Sequence, residues 1–188
     1  MHTYQISPLT ANLWPQVVAL ADRNIGRGYL TKEAMSFFLN LSTDKGKNVS
    51  FVLVDSDQNV HGLRLTFAPG KWLKSMNAKT HPELWRSSPL ATAYFKTILI
   101  DETLRGKGLG PQMTAASIAV LKELGTEAIV CHSWKESPNN SSQKYLITAG
   151  FEPLHDIPNF WQDVDYECVI CQPQTCSCTA VEMIKYLN

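Results

Sequence analysis

Two stretches of this sequence carry residue types whose spacing could do chemistry. The first is Ile98-Leu99-Ile100-Asp101-Glu102-Thr103-Leu104-Arg105-Gly106-Lys107-Gly108-Leu109-Gly110. An apolar strand runs out, glycines alternate with other residues, and a helical pattern begins at once. Such a strand–turn–helix points successive backbone N–H groups and a helix N-terminus into one small space, which suits phosphate oxygens. Glycine leaves the backbone bare to an anion, and Arg105 and Lys107 add positive charge. The run lacks the Gly-Lys-Ser/Thr of nucleoside triphosphatases. Its Gly106-x-Gly108-x-Gly110 spacing is not that of the dinucleotide fingerprint either. A tight turn that holds no ligand has the same composition.

The second stretch is a crowd of thiols. Cys168, Cys171, Cys176 and Cys178 follow the spacing Cys-x2-Cys-x4-Cys-x-Cys. Four thiolates can close a tetrahedral zinc site, and iron takes the same ligands. Tyr166, just ahead of the first pair, makes the run resemble the knuckles of rubredoxin-like and zinc-ribbon modules. Reduced thiols packed as small hydrophobes are one alternative. Disulfides, which a reducing compartment disfavours, are another. Cys131 stands apart.

The elements around these stretches follow from pattern. Tyr4-Gln5-Ile6 reads as a first strand, and a helix runs through Trp14 to Ala21. Thr31 caps a second helix that includes Met35, Phe37, Phe38 and Leu41. Ser50 to Val54 and Val60 to Phe67 form an antiparallel hairpin across a turn at Asp55 to Asn59. Residues 68–91 are irregular, with Trp72 and Trp85 among proline and glycine pairs; they form either a surface loop pinned by its aromatics or a substrate lid. Tyr94 to Asp101 is a strand. A helix beginning at Pro111 lays Met113, Ala116, Val120 and Leu124 along one face, with Ile118 and Leu121 widening the apolar surface. A strand at Glu127 to His132, a helix at Asn139 to Ala149 and a strand entered by Phe151 follow. Thr179 to Leu187 reads as the last strand, which makes residues 161–178 an insertion before it. Strands and helices in this order imply a mixed α/β sheet covered by helices, within one domain over residues 1–188.

Arg105-x-x-Gly108-x-Gly110 resembles the pyrophosphate-binding motif of the GNAT acetyltransferase superfamily. The later strand, Asn139 and the helix that ends at Gly150-Phe151 resemble that superfamily's second motif, with Asn139 eleven residues before Gly150. Together the likeness covers residues 94–155. It implies a GNAT fold: a mixed, mostly antiparallel sheet with a splayed central parallel pair and helices on both faces. It implies acetyl-CoA as cosubstrate. Ile98, Leu99 and Ile100 would contact the pantetheine and acetyl groups. Arg105, Gly106, Lys107, Gly108, Leu109 and Gly110 would hold the pyrophosphate, with Asn139 also at the cofactor. Many members place a tyrosine four residues before the Gly-Phe pair, where it protonates the departing thiolate. Here that position is Leu146, and the tyrosine is Tyr145.

The resemblance implies transfer of an acetyl group to a primary amine by direct attack in a ternary complex. The base candidates are Asp101 and Glu102 at the strand end and His132 on the neighbouring strand. Tyr145 is the acid candidate. Asp101 and Glu102 could equally be turn residues, and His132 and Tyr145 interior packing residues. The acceptor is an amine on a small molecule or a peptide. The alternative is a GNAT-like module that binds acyl-CoA without turnover and engages a partner through its cysteine-rich tail. A redox role for the thiols is a third reading. Composition adds bounds: 17 basic and 17 acidic residues argue against a dedicated nucleic-acid partner. No apolar run reaches the length of a membrane span, and no secretory signal opens the chain, so a cytoplasmic protein is expected. Oligomeric state is open, a homodimer included.

Overall fold

The computed structural model describes residues 3–74, 79–164, 168, 170, 171 and 174–187. Strand β1 (Gln5–Pro8) leads to helix α1 (Trp14–Asn24), where Pro15 sits in the first turn and forfeits no hydrogen bond. Helix α2 (Met35–Leu41) begins later than the sequence pattern suggests. The Thr31 hydroxyl accepts the Ala34 N–H and heads the turn before the helix instead. A two-strand ribbon, β2 (Thr43–Asp44) and β3 (Lys47–Asn48), precedes the hairpin β4 (Phe51–Val54) and β5 (Val60–Phe67). Asp55 shapes the hairpin turn by accepting the N–H groups of Asp57 and Asn59. Then come β6 (Thr92–Ile100), α3 (Leu109–Glu123), β7 (Ala128–Trp134), α4 (Ser141–Thr148), β8 (Glu152–Ile157) and β9 (Ala180–Tyr186). Among the described residues no helix is long and apolar enough to cross a membrane.

The main sheet has the order β1-β4-β5-β6-β7-β9-β8, and its one parallel pair is β6 with β7. Alternation along each strand decides which helices it meets. Tyr94 and Val130 face α1 and α2, in a cluster with Trp14, Val17, Leu20 and Phe67. Ala93, Phe95, Ile129 and Cys131 face α3 and α4, in a cluster with Leu121, Leu146 and Phe151.

The face of α3 differs in part from the expected one, since Met113, Leu121 and Leu124 are buried but Ala116 and Val120 are not among the buried positions. The buried positions are Gly110, Met113, Thr114, Ser117 and Leu121, and the helix starts at Leu109 rather than Pro111. Hydroxyls displace aliphatic carbons on that face because each is paired. Ser117 donates to the Val49 carbonyl at 2.7 Å, and Thr114 bonds the buried Arg64 at 3.0 Å. A polar group buried with partners costs little.

The irregular segment from 68 to 91 is pinned by its aromatics. Trp72 and Trp85 are buried, and their indole N–H groups donate to the Thr92 carbonyl and to Glu182 at 2.9 and 2.8 Å. Its stretch 75–78 lies outside the described residues.

An ionic cluster fixes the far end of β6. His61 on β5 stands between Asp55 at 3.0 Å and Asp101 at 2.9 Å. Burial opposes a charge on the His61 ring, but the two carboxylates outweigh it and raise the pKa above 6.5. The hydrogen bond from His61, with those from Asn59, holds the Asp55 carboxyl far below its ordinary range. The sign of the linkage follows. Stability from the charged ring is complete below 6.5, the value for the unfolded chain, and is lost as pH climbs through the raised folded value. Thermal unfolding of His61→Gln is therefore expected to lag the parent more at about pH 6 than at about pH 9. An equal gap at both would mean that His61 is neutral in the fold.

Candidate functional site

The site grows from one irregularity in β6. Parallel pairing with β7 runs from Thr92 opposite Ala128 to Phe95 opposite Cys131 and stops there. On the other edge, Thr66 pairs Phe95 while Leu65 pairs Thr97, so Lys96 is an extra residue, a bulge. A bulge bends its strand and sharpens its twist, and here it coincides with the last parallel pair. Beyond it β6 still pairs with β5 but has left β7. Half the backbone groups of Thr97 to Ile100 therefore face a gap, available to a ligand.

The gap opens toward the glycine turn. A cavity of about 350 Å³ is lined by Ile98 and Ile100 of β6, by Leu104 to Gly106, by Gly108 to Pro111, and by Tyr145. Gly106 and Gly108 both have φ +75, a left-handed conformation that other residues adopt at a cost. Gly108 is the residue from which α3 springs. Space beside both is open: a Cβ at Gly106 would meet nothing within 4 Å, and one at Gly108 only the Gln112 side chain at 4.0 Å. This bare turn at a 15-residue helix N-terminus fits a pyrophosphate, and the apolar lining behind it fits a pantetheine arm. Arg105 and Lys107 are exposed beside it. The Arg105 side chain is tied back, its Nε to the Ile100 carbonyl at 3.2 Å and its Nη2 to Asn24 at 2.7 Å.

The proposed proton carriers stand apart from one another. Glu102 is exposed and opens the short turn after β6, at the glycine-turn end of the cavity. Asp101 is engaged by His61 and by Arg23 at 3.4 Å. His132 follows Cys131, at the mouth of the split. Its Nε2 lies 3.2 Å from the Lys79 carbonyl, which can only accept, so Nε2 carries the proton. Nδ1 then accepts from the Tyr94 hydroxyl at 2.9 Å. Burial pushes the His132 pKa down to about 3. Cys131, also buried, is pushed up to about 12.

Tyr145 lines the cavity, but its hydroxyl is committed. It lies 2.5 Å from Thr114 Oγ1 and 3.2 Å from the Gly110 carbonyl, both on α3. Leu146, beside it, is buried. Asn139 is exposed in a left-handed conformation in the turn before α4 and does not line the cavity.

The pattern did not single out Arg64. It is 2% exposed, beneath the cavity, with its guanidinium 4.2 Å over the Phe95 ring and bonded to Thr114 and Tyr145. Burial lowers its pKa. Glu182 was missed as well. It is fully buried, pairs across strands with His132 and His155, and accepts from His81 Nδ1 at 2.7 Å and from Trp85. The one signal for either was a charged residue within an otherwise apolar strand pattern.

All four thiols of the second stretch converge in the β8–β9 connection. Their sulfur atoms lie within 4.8 Å of one another, so the cluster could hold a metal. Tyr166 lies outside the described residues. The Ser177 N–H draws the Cys171 thiol down to about 7, while burial pushes Cys176 and Cys178 up.

No family model matches the sequence, and no curated protein matches it. The structure does have close counterparts. It superposes on the ribosomal-protein-S18-alanine N-acetyltransferase of Escherichia coli with a TM-score of 0.67 at 12% identity, covering 99% of this chain and 95% of that one. A GCN5-related N-acetyltransferase of Kribbella flavida gives 0.64 at 18%, covering 97% of each chain. A chain of the NatC complex bound to a Gag peptide and CoA gives 0.68 at 14%, covering 98% and 99%. At these identities the likeness is one of fold: the sheet with its split parallel pair and flanking helices is the GNAT fold.

Proposed function

We propose that this chain is an N-acetyltransferase, which holds acetyl-CoA along the free edge of β6 and passes the acetyl group to a primary amine bound at the same time. One observation carries the reading: a single strand has a bulge and split at its middle and a bare phosphate turn at its end. On this reading the turn from Arg105 to Gly110 grips the pyrophosphate, and the backbone of Ile98, Leu99 and Ile100 lines up the pantetheine arm. Asn139, in the turn before α4 and outside the cavity lining, would meet only a part of the cofactor that extends beyond the cavity. Acetyl-CoA supplies an activated acyl group. The N–H groups that β6 frees beyond Lys96 stabilise negative charge on the acyl oxygen. The four cysteines hold one structural zinc ion on the same reading.

His132 is the residue to test first for the amine's proton, which would reach its Nδ1 by relay through the Tyr94 hydroxyl bonded there, since Nε2 already carries a proton held by the Lys79 carbonyl. His132 lies where the strands part, whereas Phe95 to Glu102 spans seven residues, about 20 Å of extended chain. Tyr145 is assigned to positioning, since its hydroxyl ties α4 to the helix that opens the turn. His132→Ala is expected to lower kcat/KM by about 100-fold. Glu102→Gln should stay within about twofold, since Glu102 lies at the phosphate end. The reverse order would move the base to the strand end, and no effect from either would remove both. With its pKa near 3, His132 is neutral throughout the working range. The kcat/KM profile should then rise only as the acceptor amine deprotonates, with no inflection near 6.5.

The engaged Tyr145 hydroxyl and buried Leu146 favour a second reading, a module that binds acyl-CoA and does not turn it over. Thiol release from acetyl-CoA across an amine panel separates the two. The panel begins with peptide N-termini, because two of the superposed proteins are named for protein or peptide partners. Release with any amine supports the transferase. Tight CoA binding with no release across the panel supports the module.

A further inference from the structure

Residues 158–179 join β8 to β9, and the described part of the connection contains no helix or strand. Such a segment needs something else to hold its shape. Two of its features touch the rest of the site. Phe160 donates its N–H to the Cys178 carbonyl at 3.1 Å. The Phe160 ring lies 4.3 Å from the His132 ring, at 31° to it. Lys79 closes the circle: its ammonium bonds the Phe160 carbonyl at 3.4 Å, and its own carbonyl accepts from His132. The wall over His132 therefore hangs from the chain at Cys178.

The cysteine geometry suits a metal. A tetrahedral ion with sulfur at about 2.3 Å separates its ligands by about 3.8 Å. Cys168 and Cys171 lie 3.9 and 3.6 Å from Cys178. A disulfide needs about 2.05 Å between two sulfurs, much shorter than either of these separations. The indole N–H of Trp134 is buried without a hydrogen-bond partner, on the side of the molecule where Cys178 sits. A metal-bound thiolate is an acceptor that would satisfy it. None of these residues lines the cavity at the glycine turn.

We propose that zinc bound by Cys168, Cys171, Cys176 and Cys178 is the clasp that holds Phe160 over His132, so that the metal governs the acceptor side of the site and leaves the CoA side untouched. The proposal rests on the transferase reading for its acceptor, but not for its metal or its wall. Protein purified without chelator should carry roughly one zinc per chain, and cobalt exchange should give thiolate charge-transfer and tetrahedral d–d bands. In Cys171→Ser and in chelator-treated parent, hydrogen exchange should speed up at 158–164 and stay unchanged at 94–110. The Kd for acetyl-CoA should hold within about twofold. Acceptor kcat/KM should fall at least about tenfold, chiefly through KM, and return when zinc is restored.

Metal content far below one, with no cobalt spectrum, overturns the site. Unchanged exchange at 158–164 after metal loss overturns the clasp. Parallel loss of protection at 94–110 overturns the separation of the two sides. Exchange and metal content need no turnover, so they decide the proposal even if no amine proves to be a substrate.

Discussion

Gly108→Trp is expected to raise the dissociation constant for acetyl-CoA by more than about 100-fold, a loss of about 2.7 kcal/mol or more. Two effects act together. At φ +75 a side chain costs about 1–2 kcal/mol, which disturbs the N–H groups the turn presents. The indole would also occupy the open side where the phosphate belongs, since only Gln112 lies within 4.0 Å of a Cβ there. Gly108→Ala separates the two, because it has the strain without the bulk, and it should retain binding weakened by about tenfold. Titration calorimetry reads both variants, and circular dichroism confirms that each is folded. Parent-like binding by a folded Gly108→Trp would mean that the turn holds no phosphate, and the transferase reading would fail with it.

Arg64→Ala is expected to cost about 3 kcal/mol of stability, as truncation of a large buried side chain does. In a chain of this size that lowers Tm by about 6–12 °C. The guanidinium fills the space between Phe95, Thr114 and Tyr145, and removing it leaves a cavity beside two hydroxyls. Arg64→Met should recover most of the loss, because it restores volume and removes a buried charge whose Nε lacks a partner. A methionine variant as unstable as the alanine one would mean that the charge, not the volume, is what the fold uses.

The parts of the site that were legible in advance are local ones. The apolar strand, the glycines and the helix from 98 to 123 are contiguous, and backbone preference alone makes them a strand, a left-handed turn and a helix. The α3 face was read less well. Thr114 and Ser117 look like surface residues until their partners on other elements are known. Tyr145 was a close matter of helix phase: one residue turns a helix by about 100°, and the register places its hydroxyl on α3.

The sequence by itself determined the glycine turn, the mixed α/β class and the thiol cluster, because each depends on residues that are neighbours in the chain. Tertiary structure alone decided where β6 parts from β7, since that needs a bulge in one pairing and the end of another on the same strand. It also decided which charges are buried together. Arg64 meets Tyr145 across 81 positions, and His81 meets Glu182 across 101. Such meetings are set by strand order and register, which depend on packing of the whole sheet and not on any short run of residues.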